Sequence, residues 1–269
     1  MPEGKDSRID AVRAGHMLID ELKNPDMNPS ICWYLIAKGA DVHLKTRDGY
    51  KKTALMLAAW RRDRRLVKAL LERGADVHAV DAVGMTALAY AACENDAGIV
   101  SDILDEGAKV DAVNNRRITP LMHAVYHGCP DVVRMLAHRG ADVDARDDMG
   151  RTALSRMMMG ESYREQVLDA LLDSGADINA RDDMGRTPLI RAVIFCEIKI
   201  VHDLLVRNAD IDAQDYEGKT ALDFGAAWPG WRLFDKLETE RERRRVAGIK
   251  AAAERGTTRT RKIHRPKMG

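Results

Sequence analysis

The feature that most constrains this chain is an internal repeat, because two short patterns recur along it at a modal spacing of 33 residues. One is Gly-Ala-Asp or a near relative, which starts at Gly39, Gly74, Gly107, Gly140, Gly175 and Asn208. The other is Thr-Ala/Pro-Leu, which starts at Thr53, Thr86, Thr119, Thr152, Thr187 and Thr220. A period of this length predicts a stack of similar supersecondary units rather than a single globular core.

Each pattern has a conformational role. The threonine can accept a backbone N–H bond at a helix N-cap, alanine or proline suits the first helical position, and the leucine points into the core. A second apolar pattern of helical spacing follows, as in 66–76 and 132–142, and it ends at a glycine that can adopt positive φ. An Asp-x-x-Gly turn comes next, as in 81–84 and 147–150. The sequence therefore predicts two helices and a hairpin-like loop, repeated six times.

Residues 84–114 and 185–215 resemble ankyrin repeats in their period, in the Thr and Leu of the first helix, and in the Gly-Ala loop. The resemblance extends over roughly residues 30–238. It implies an all-α repeat solenoid, an ankyrin-like stack of about seven helix-turn-helix pairs with hairpin-like loops and atypical terminal caps. The histidine that the family carries after the leucine is absent. Arg117 replaces the turn glycine and Lys109 replaces the loop aspartate, so we expect the third loop to be the least regular.

These patterns divide the chain into four parts. We expect residues 1–38 to form an atypical N-terminal capping helical pair and residues 39–219 to form five ankyrin-like repeats. Residues 220–255 are expected to form a C-terminal cap with an extended charged helix. Residues 256–269 are expected to be a basic disordered tail, because TTRTRKIHRPKMG shows no apolar periodicity.

Charge is distributed unevenly, although the formal net charge is only +1. Residues 241–269 contain 11 Lys or Arg against two Glu, whereas the remaining residues carry 32 Lys or Arg and 40 acidic residues. Residues 241–267 are therefore a candidate site for nucleic acid or an acidic protein partner. A nuclear import signal and a merely solvated tail are the alternatives. No DNA-reading motif accompanies the charge, which argues against sequence-specific DNA binding.

The sequence predicts a cytoplasmic protein with no membrane insertion. It has no run of 18 apolar residues, and MPEGKDSRID lacks the features of a secretory signal. Its four cysteines form no closely spaced pair and fit a reducing compartment. Location in the nucleus or in a host cell would follow if the basic tail were a targeting signal.

No catalytic or cofactor motif is evident, so the sequence predicts a protein that is not an enzyme and needs no cofactor. The acidic pairs at 147–148 and 182–183 lie at turn tips, where water should keep their pKa values near normal. His123 and His127 have the i,i+4 spacing of metal ligands, with Cys129 as the nearest third ligand in sequence. Because this ligand set is incomplete, ordinary helix residues are the favoured interpretation and no metal site is predicted.

The family resemblance implies a protein–protein interaction scaffold or adaptor that binds its partner through loop tips and the exposed side of the first helices. A host-directed effector is an alternative role, as is an adaptor that acts through the basic tail. Tips on this surface also include Tyr50, Lys52, Val83 and Met85. The predicted partner-binding residues are Trp60, Tyr90, Tyr126, Arg116, Asp148, Met149, Arg151, Arg156, Asp183, Met184, Arg186, Arg191, Tyr216 and Lys219.

Within this surface, Arg151, Arg156, Arg186 and Arg191 are expected to be exposed and to meet carboxylates of the partner. The octapeptide ARDDMGRT occurs twice, at 145–152 and 180–187. Its first Asp, its Gly and its Thr are turn, corner and N-cap residues. The second Asp, the Met and the second Arg of each copy are not required by the fold and are candidates for binding. Ordinary solvated positions are the alternative interpretation.

Overall fold

In a computed structural model of the chain, the described residues are 6–159, 165–226, 235, 237–247 and 250. They form helices joined by turns, with one isolated antiparallel bridge between Lys45 and Thr53 and no strand among them. A further helical segment covers 237–247. The other helices are α1 (Asp6–Lys23), α2 (Pro29–Ala37), α3 (Ala54–Trp60), α4 (Arg64–Glu72), α5 (Ala87–Cys93), α6 (Ala97–Asp105), α7 (Pro120–Tyr126), α8 (Pro130–His138), α9 (Ala153–Arg156) with a 3₁₀ turn at Met157–Met159, α10 (Glu165–Asp173), α11 (Pro188–Ile194), α12 (Ile198–Val206) and α13 (Ala221–Ala226).

The chain divides into two compact units, Met1–Asp183 and Met184–Gly269. In the first unit, α1 packs on α2, α3 on α4, α5 on α6, α7 on α8 and α9 on α10. Successive first helices also pack on one another, as do successive second helices. This unit is therefore a two-layered stack of helix pairs, as the repeat pattern predicts. In the second unit, α11 packs on both α12 and α13.

The helix starts are those that the Thr-Ala/Pro-Leu pattern predicts. The side chains of Thr53, Thr86, Thr119 and Thr152 each accept a bond from the backbone N–H three residues later, at 3.2–3.4 Å. Thr187 does the same for α11 in the second unit, at 3.4 Å. The pattern leucines are almost inaccessible to solvent in both units. Five are at most 1% exposed, and the sixth, Leu222, is 8% exposed; the five are Leu55, Leu88, Leu121, Leu154 and Leu189.

The second helices end in the left-handed backbone that the Gly-Ala-Asp pattern predicts. Gly74, Gly107, Gly140 and Gly175 have φ between 76° and 89°, and Asn208 has φ 64°. Three non-glycine residues also adopt positive φ just after a first helix, at Arg62, Asn95 and Cys196. The sequence offered no sign of these corners, because among the described residues glycine takes the corresponding place only at Gly128.

The expected irregularity of the third loop is present at Lys109 and absent at Arg117. In the other loops the residue at the place of Lys109 is an aspartate that accepts a bond from the backbone N–H two residues later, at 2.8–3.0 Å, and the lysine side chain offers no acceptor. The turn at 114–117 is regular. Asn114 Oδ1 accepts bonds from the N–H groups of Arg116 and Ile118 at 2.9 and 3.0 Å. Asp81 Oδ1 makes the equivalent pair of bonds in the preceding loop, both at 2.9 Å. Arg117 adopts φ 55° in place of the glycine. The amide of Asn114 thus fixes the turn as a carboxylate would, and Arg117 takes the left-handed backbone.

The helical segment 237–247 is held against the end of α12 in the second unit. Arg244 donates to the carbonyls of Leu205 and Ala209 at 2.6 and 2.7 Å and pairs with Glu240 at 2.9 Å. Those carbonyls lie at a helix C-terminus, where backbone acceptors lack partners within the helix. This segment lies within residues 220–255, for which the sequence predicts a charged C-terminal cap. The predicted tail at 256–269 lies outside the described residues.

Candidate partner-binding surface

The tips of successive loops are joined by backbone hydrogen bonds. In the first unit, Ala82 N donates to Tyr50 O at 2.8 Å, and Asn115 N donates to Val83 O at 3.0 Å. The next two bonds run from Asp148 N to Arg116 O at 3.1 Å and from Asp183 N to Met149 O at 3.2 Å. In the second unit, Tyr216 N donates to Met184 O at 3.1 Å. These bonds fix the spacing of the side chains that each tip presents to solvent.

Several predicted contact residues are exposed at or beside these tips. Trp60 is 50% exposed, and Met149, Met184 and Tyr216 are 45%, 52% and 73% exposed. Asp148, Asp183, Arg116 and Lys219 are exposed as well. Arg116 Nε lies 3.4 Å from Asp148 Oδ2, and Lys219 Nζ lies 2.8 Å from Glu217 Oε2. Tyr126 is half-buried and its ring lies edge-on to His127, with 5.1 Å between centroids.

An aromatic cluster surrounds one cation at the start of the first unit's row of tips. Lys52 Nζ lies 5.0 Å from the ring centroid of Trp60, 4.8 Å from that of Tyr90 and 5.6 Å from that of Tyr50. These distances suit cation–π attraction. The sequence placed these residues at tips and first helices, but their convergence on Lys52 was not predicted, because they come from two different repeats.

The sequence predicts that four arginines, at 151, 156, 186 and 191, are exposed, and this prediction is wrong for three of them. Arg151, Arg156 and Arg191 are only 3%, 7% and 8% exposed. Arg151 Nε and Arg156 Nη1 donate to Asp147 Oδ2 at 2.8 and 2.7 Å. The carboxylate they were expected to find on a partner is therefore supplied by the turn of their own repeat.

Arg186 is half-buried, and its environment is also provided by its own unit. Its Nε lies 3.6 Å from Asp215 Oδ2, and its guanidinium carbon lies 5.3 Å from the ring centroid of Phe224. The guanidinium carbon of Arg191 lies 5.5 Å from the ring centroid of Phe195. Arg186 thus retains a partly accessible side chain, whereas Arg191 belongs to the interior.

Tyr90 is also a correction, because it is buried and its hydroxyl donates to Asp81 Oδ2 at 2.7 Å. Asp81 therefore accepts hydrogen bonds through both carboxylate oxygens. Its Oδ1 accepts the N–H groups of the turn, and its Oδ2 accepts the Tyr90 hydroxyl of the following helix. Burial and the bond to Asp81 raise the pKa of Tyr90. Burial opposes ionisation of Asp147, but its hydrogen bonds with Arg151, Met149 and Arg156 outweigh burial and lower its pKa.

One group of potential metal ligands lies in the first unit. A ligand atom from each of Cys93, His123 and His127 lies within 4.8 Å of the other two. The third ligand is thus Cys93 rather than Cys129, whose thiol faces the Cys93 carbonyl at 3.7 Å. Cys93 was not a candidate in the sequence because it is 30 residues from the nearer histidine.

A groove of about 760 Å³ lies in the second unit between α12 and the segment 235–247. Ile198, Val201, Leu205 and Val206 line its apolar side. Of the basic residues predicted to bind a partner here, Arg244 is engaged with α12, and Arg241 Nε lies 2.7 Å from Asp212 Oδ1. Arg243 and Arg245 are exposed.

The stacked helix pairs, with loop tips joined by backbone bonds, define an all-α repeat protein of the solenoid class. A family model for ankyrin repeats matches the sequence in three copies, over residues 22–114, 55–147 and 154–230. The chain therefore belongs to the ankyrin repeat family. Repeats of this family generally mediate protein–protein interactions and are typically non-enzymatic. A search of curated proteins found no match to the sequence. Within the part of the chain that the structure describes, no helix has both the length and the apolar character needed to cross a membrane.

Proposed function

We propose that the chain is a protein-binding adaptor that uses the tip surface of its first unit, defined as Tyr50, Trp60, Val83, Arg116 and Met149. The observation that carries this proposal is the row of backbone hydrogen bonds joining those tips. A surface fixed in this way loses little conformational entropy when a partner binds, so more of the contact energy appears as affinity.

The composition of the tip surface supports the same proposal. Aromatic residues, methionine and arginine are enriched in protein interfaces, and Trp, Tyr and Arg dominate the residues whose truncation weakens binding most. Tyr50 is 61% exposed and Val83 is 49% exposed, so apolar groups recur along the row. Arg151 and Arg156 do not belong to this surface, because they are buried. Electrostatic recognition there would depend on Arg116, Asp148 and Lys52 instead.

We predict that the double variant Trp60→Ala, Met149→Ala loses the partners that the intact chain captures. Two truncated anchors should cost at least about 2 kcal/mol of binding free energy if they lie at the centre of the interface. The measurement is quantitative affinity capture with the full chain, followed by titration calorimetry with each recovered partner.

The matched control is Ile198→Ala with Val206→Ala, which truncates two exposed apolar residues of α12 in the second unit. Partner recovery should be unchanged in this control. Equal recovery by the wild type and the Trp60/Met149 variant would reject the tip surface. Selective loss in the control would instead assign binding to the groove beside α12.

A second candidate function, binding of nucleic acid through the basic segment, is favoured by the exposure of Arg243 and Arg245 on the docked helix. We predict that deleting residues 248–269, which removes seven Lys or Arg, reduces the salt dependence of binding to a mixed-sequence DNA duplex. The deletion keeps Arg244, so the docked segment 237–247 remains. Affinities measured at several salt concentrations should show a shallower slope than for the full chain. An unchanged slope would exclude residues 248–269 from DNA binding, and no binding by either chain would exclude the role altogether.

A further inference from the structure

The strongest unassigned feature of the first unit is the group formed by Cys93, His123 and His127. Cys93 is the last residue of α5, His123 lies in α7, and His127 follows α7 directly. Helices α5 and α7 pack side by side as successive first helices of the stack. The ligand atom of Cys93 therefore lies within 4.8 Å of those of two histidines that are 30 and 34 positions later in the sequence.

His123 occupies a repeat position whose equivalents have a definite partner. Tyr90 and Arg156 hold the same place in the neighbouring repeats, and each donates to the Asp of its own turn. The turn of this repeat carries Asn114, whose Oδ1 accepts two backbone N–H groups. His123 therefore has no turn carboxylate to bind. Its buried Nε2 finds no hydrogen-bond partner among the described residues.

The chemistry of the three side chains suits a borderline-soft metal ion. Two imidazoles and one thiolate are ligands that Zn²⁺ prefers, at bond lengths of about 2.0–2.3 Å, and three protein ligands leave a fourth position for water. Tetrahedral bonds of that length separate two ligand atoms by about 3.5 Å. The present separations, within 4.8 Å, exceed that distance by at most about 1.3 Å.

We propose that Cys93, His123 and His127 form a Zn²⁺ site that ties two consecutive repeats together. On binding, the Cys93 S–H bond breaks, the Sγ–Zn bond forms, and the proton passes to solvent. Each imidazole donates one nitrogen lone pair without any oxidation or reduction. The positive charge of Arg156 acts on His123, and the bond from Arg156 to Asp147 offsets it.

The ionisation of the isolated side chains is consistent with this account. Burial lowers the pKa of His123 to about 4, with smaller contributions from Arg156 and His127, so its ring is neutral and has a lone pair at neutral pH. Burial raises the pKa of Cys93 to about 12, with smaller contributions from Glu94 and Cys129. The thiol is therefore protonated without a metal and needs a bound cation to become a ligand.

The test is titration of the full-length, chelator-treated protein with Co²⁺ and with Zn²⁺. The wild type should bind one Co²⁺ with a sulfur-to-cobalt charge-transfer band and tetrahedral d–d bands, and Zn²⁺ should displace the cobalt. Cys93→Ser should lose the charge-transfer band. Cys93→Ser and His127→Gln should each bind Zn²⁺ at least about tenfold more weakly, since even residues behind the ligands change metal affinity by that factor.

The matched controls are Cys196→Ser and His202→Gln, which replace a half-buried cysteine and an exposed histidine of the second unit. Both should keep the wild-type spectrum and the wild-type Zn²⁺ affinity within about twofold, a margin well inside the effect of losing a ligand. His127→Gln provides a second test if Cys93→Ser fails to fold, because its side chain is only half-buried. Absence of the charge-transfer band in the wild type, or its persistence in Cys93→Ser, would overturn the proposal. So would equal Zn²⁺ affinities for wild type and all four variants.

Discussion

Replacing Asp147 by asparagine should lower the free energy of unfolding by about 3–5 kcal/mol, the cost of breaking a buried ion pair from one side. Asp147 is 4% exposed, and its Oδ2 accepts bonds from both Arg151 and Arg156. The substitution puts an amide N–H₂ where that oxygen was, so donors face donors and two buried guanidinium groups lose their counter-charge. Urea-induced unfolding, followed by circular dichroism, measures the change.

Asparagine is the informative substitution because the protein already uses it at this place. Asn114 holds the equivalent position in the preceding turn and accepts the same two backbone N–H groups. Asp147→Asn therefore keeps the turn and changes only the atom that faces Arg151 and Arg156. Asp148→Asn is the matched control: its exposed side chain makes one long contact to Arg116, so a change of no more than about 0.5 kcal/mol is expected. Equal effects for the two variants would show that the buried cluster of Asp147, Arg151 and Arg156 makes no specific contribution to stability.

The same buried cluster predicts that the free energy of unfolding depends on pH. The pKa of Asp147 is lower in the folded protein than its ordinary value of 3.8. Its ionised form is therefore favoured by folding, and this contribution is complete above the unfolded pKa. It is lost as the pH falls through the lower folded pKa. In that acidic range the wild type should lose stability more steeply than Asp147→Asn, which has no carboxyl group to protonate at this position.

The parts of the fold that could be predicted are those governed by interactions within a few residues. The bond that Met122 N donates to the Thr119 hydroxyl oxygen spans three residues, and the left-handed backbone at Gly140 is a property of that residue alone. Such features repeat in the sequence because each repeat needs them, so spacing was enough to find them.

The parts that could not be predicted depend on which atoms meet across a turn or between repeats. The turn role of Asp147 was predicted, but its second oxygen also accepts a side chain from nine residues later, as Asp81 does from Tyr90. That i,i+9 spacing was present in the sequence and places Arg156 inside. The charge of arginine favoured an exposed position for Arg156 instead, since isolated arginines are rarely buried. The approach of Cys93 to His123 has no local signal, because it follows from the stacking of α5 on α7.

The second large loss of stability is expected for Gly150→Ala, because Gly150 lies close to Asp183 in the tip of the next loop. Gly150 has φ 69°, and a Cβ built there would lie 2.8 Å from Asp183 N, besides contacting the Asp183 carboxylate. Alanine would pay about 1–2 kcal/mol for the left-handed backbone and a further 1–3 kcal/mol for the forced displacement of the adjoining tip. The next tip could then no longer place Asp183 N against Met149 O, at 3.2 Å in the native row.

Gly140→Ala separates these two costs. Gly140 has φ 86°, but nothing lies within 4 Å of a Cβ built there, so only the backbone cost of about 1–2 kcal/mol applies. Gly150→Ala should therefore be the more destabilised of the two in urea unfolding, and the amide of Asp183 should exchange its hydrogen faster with solvent in that variant alone. Equal destabilisation and equal exchange would mean that the tips are not held by their contact. A rigid tip surface would then lose its physical basis at two of its joints, where Gly84 and Gly150 leave room for Asn115 and Asp183 of the tips that follow.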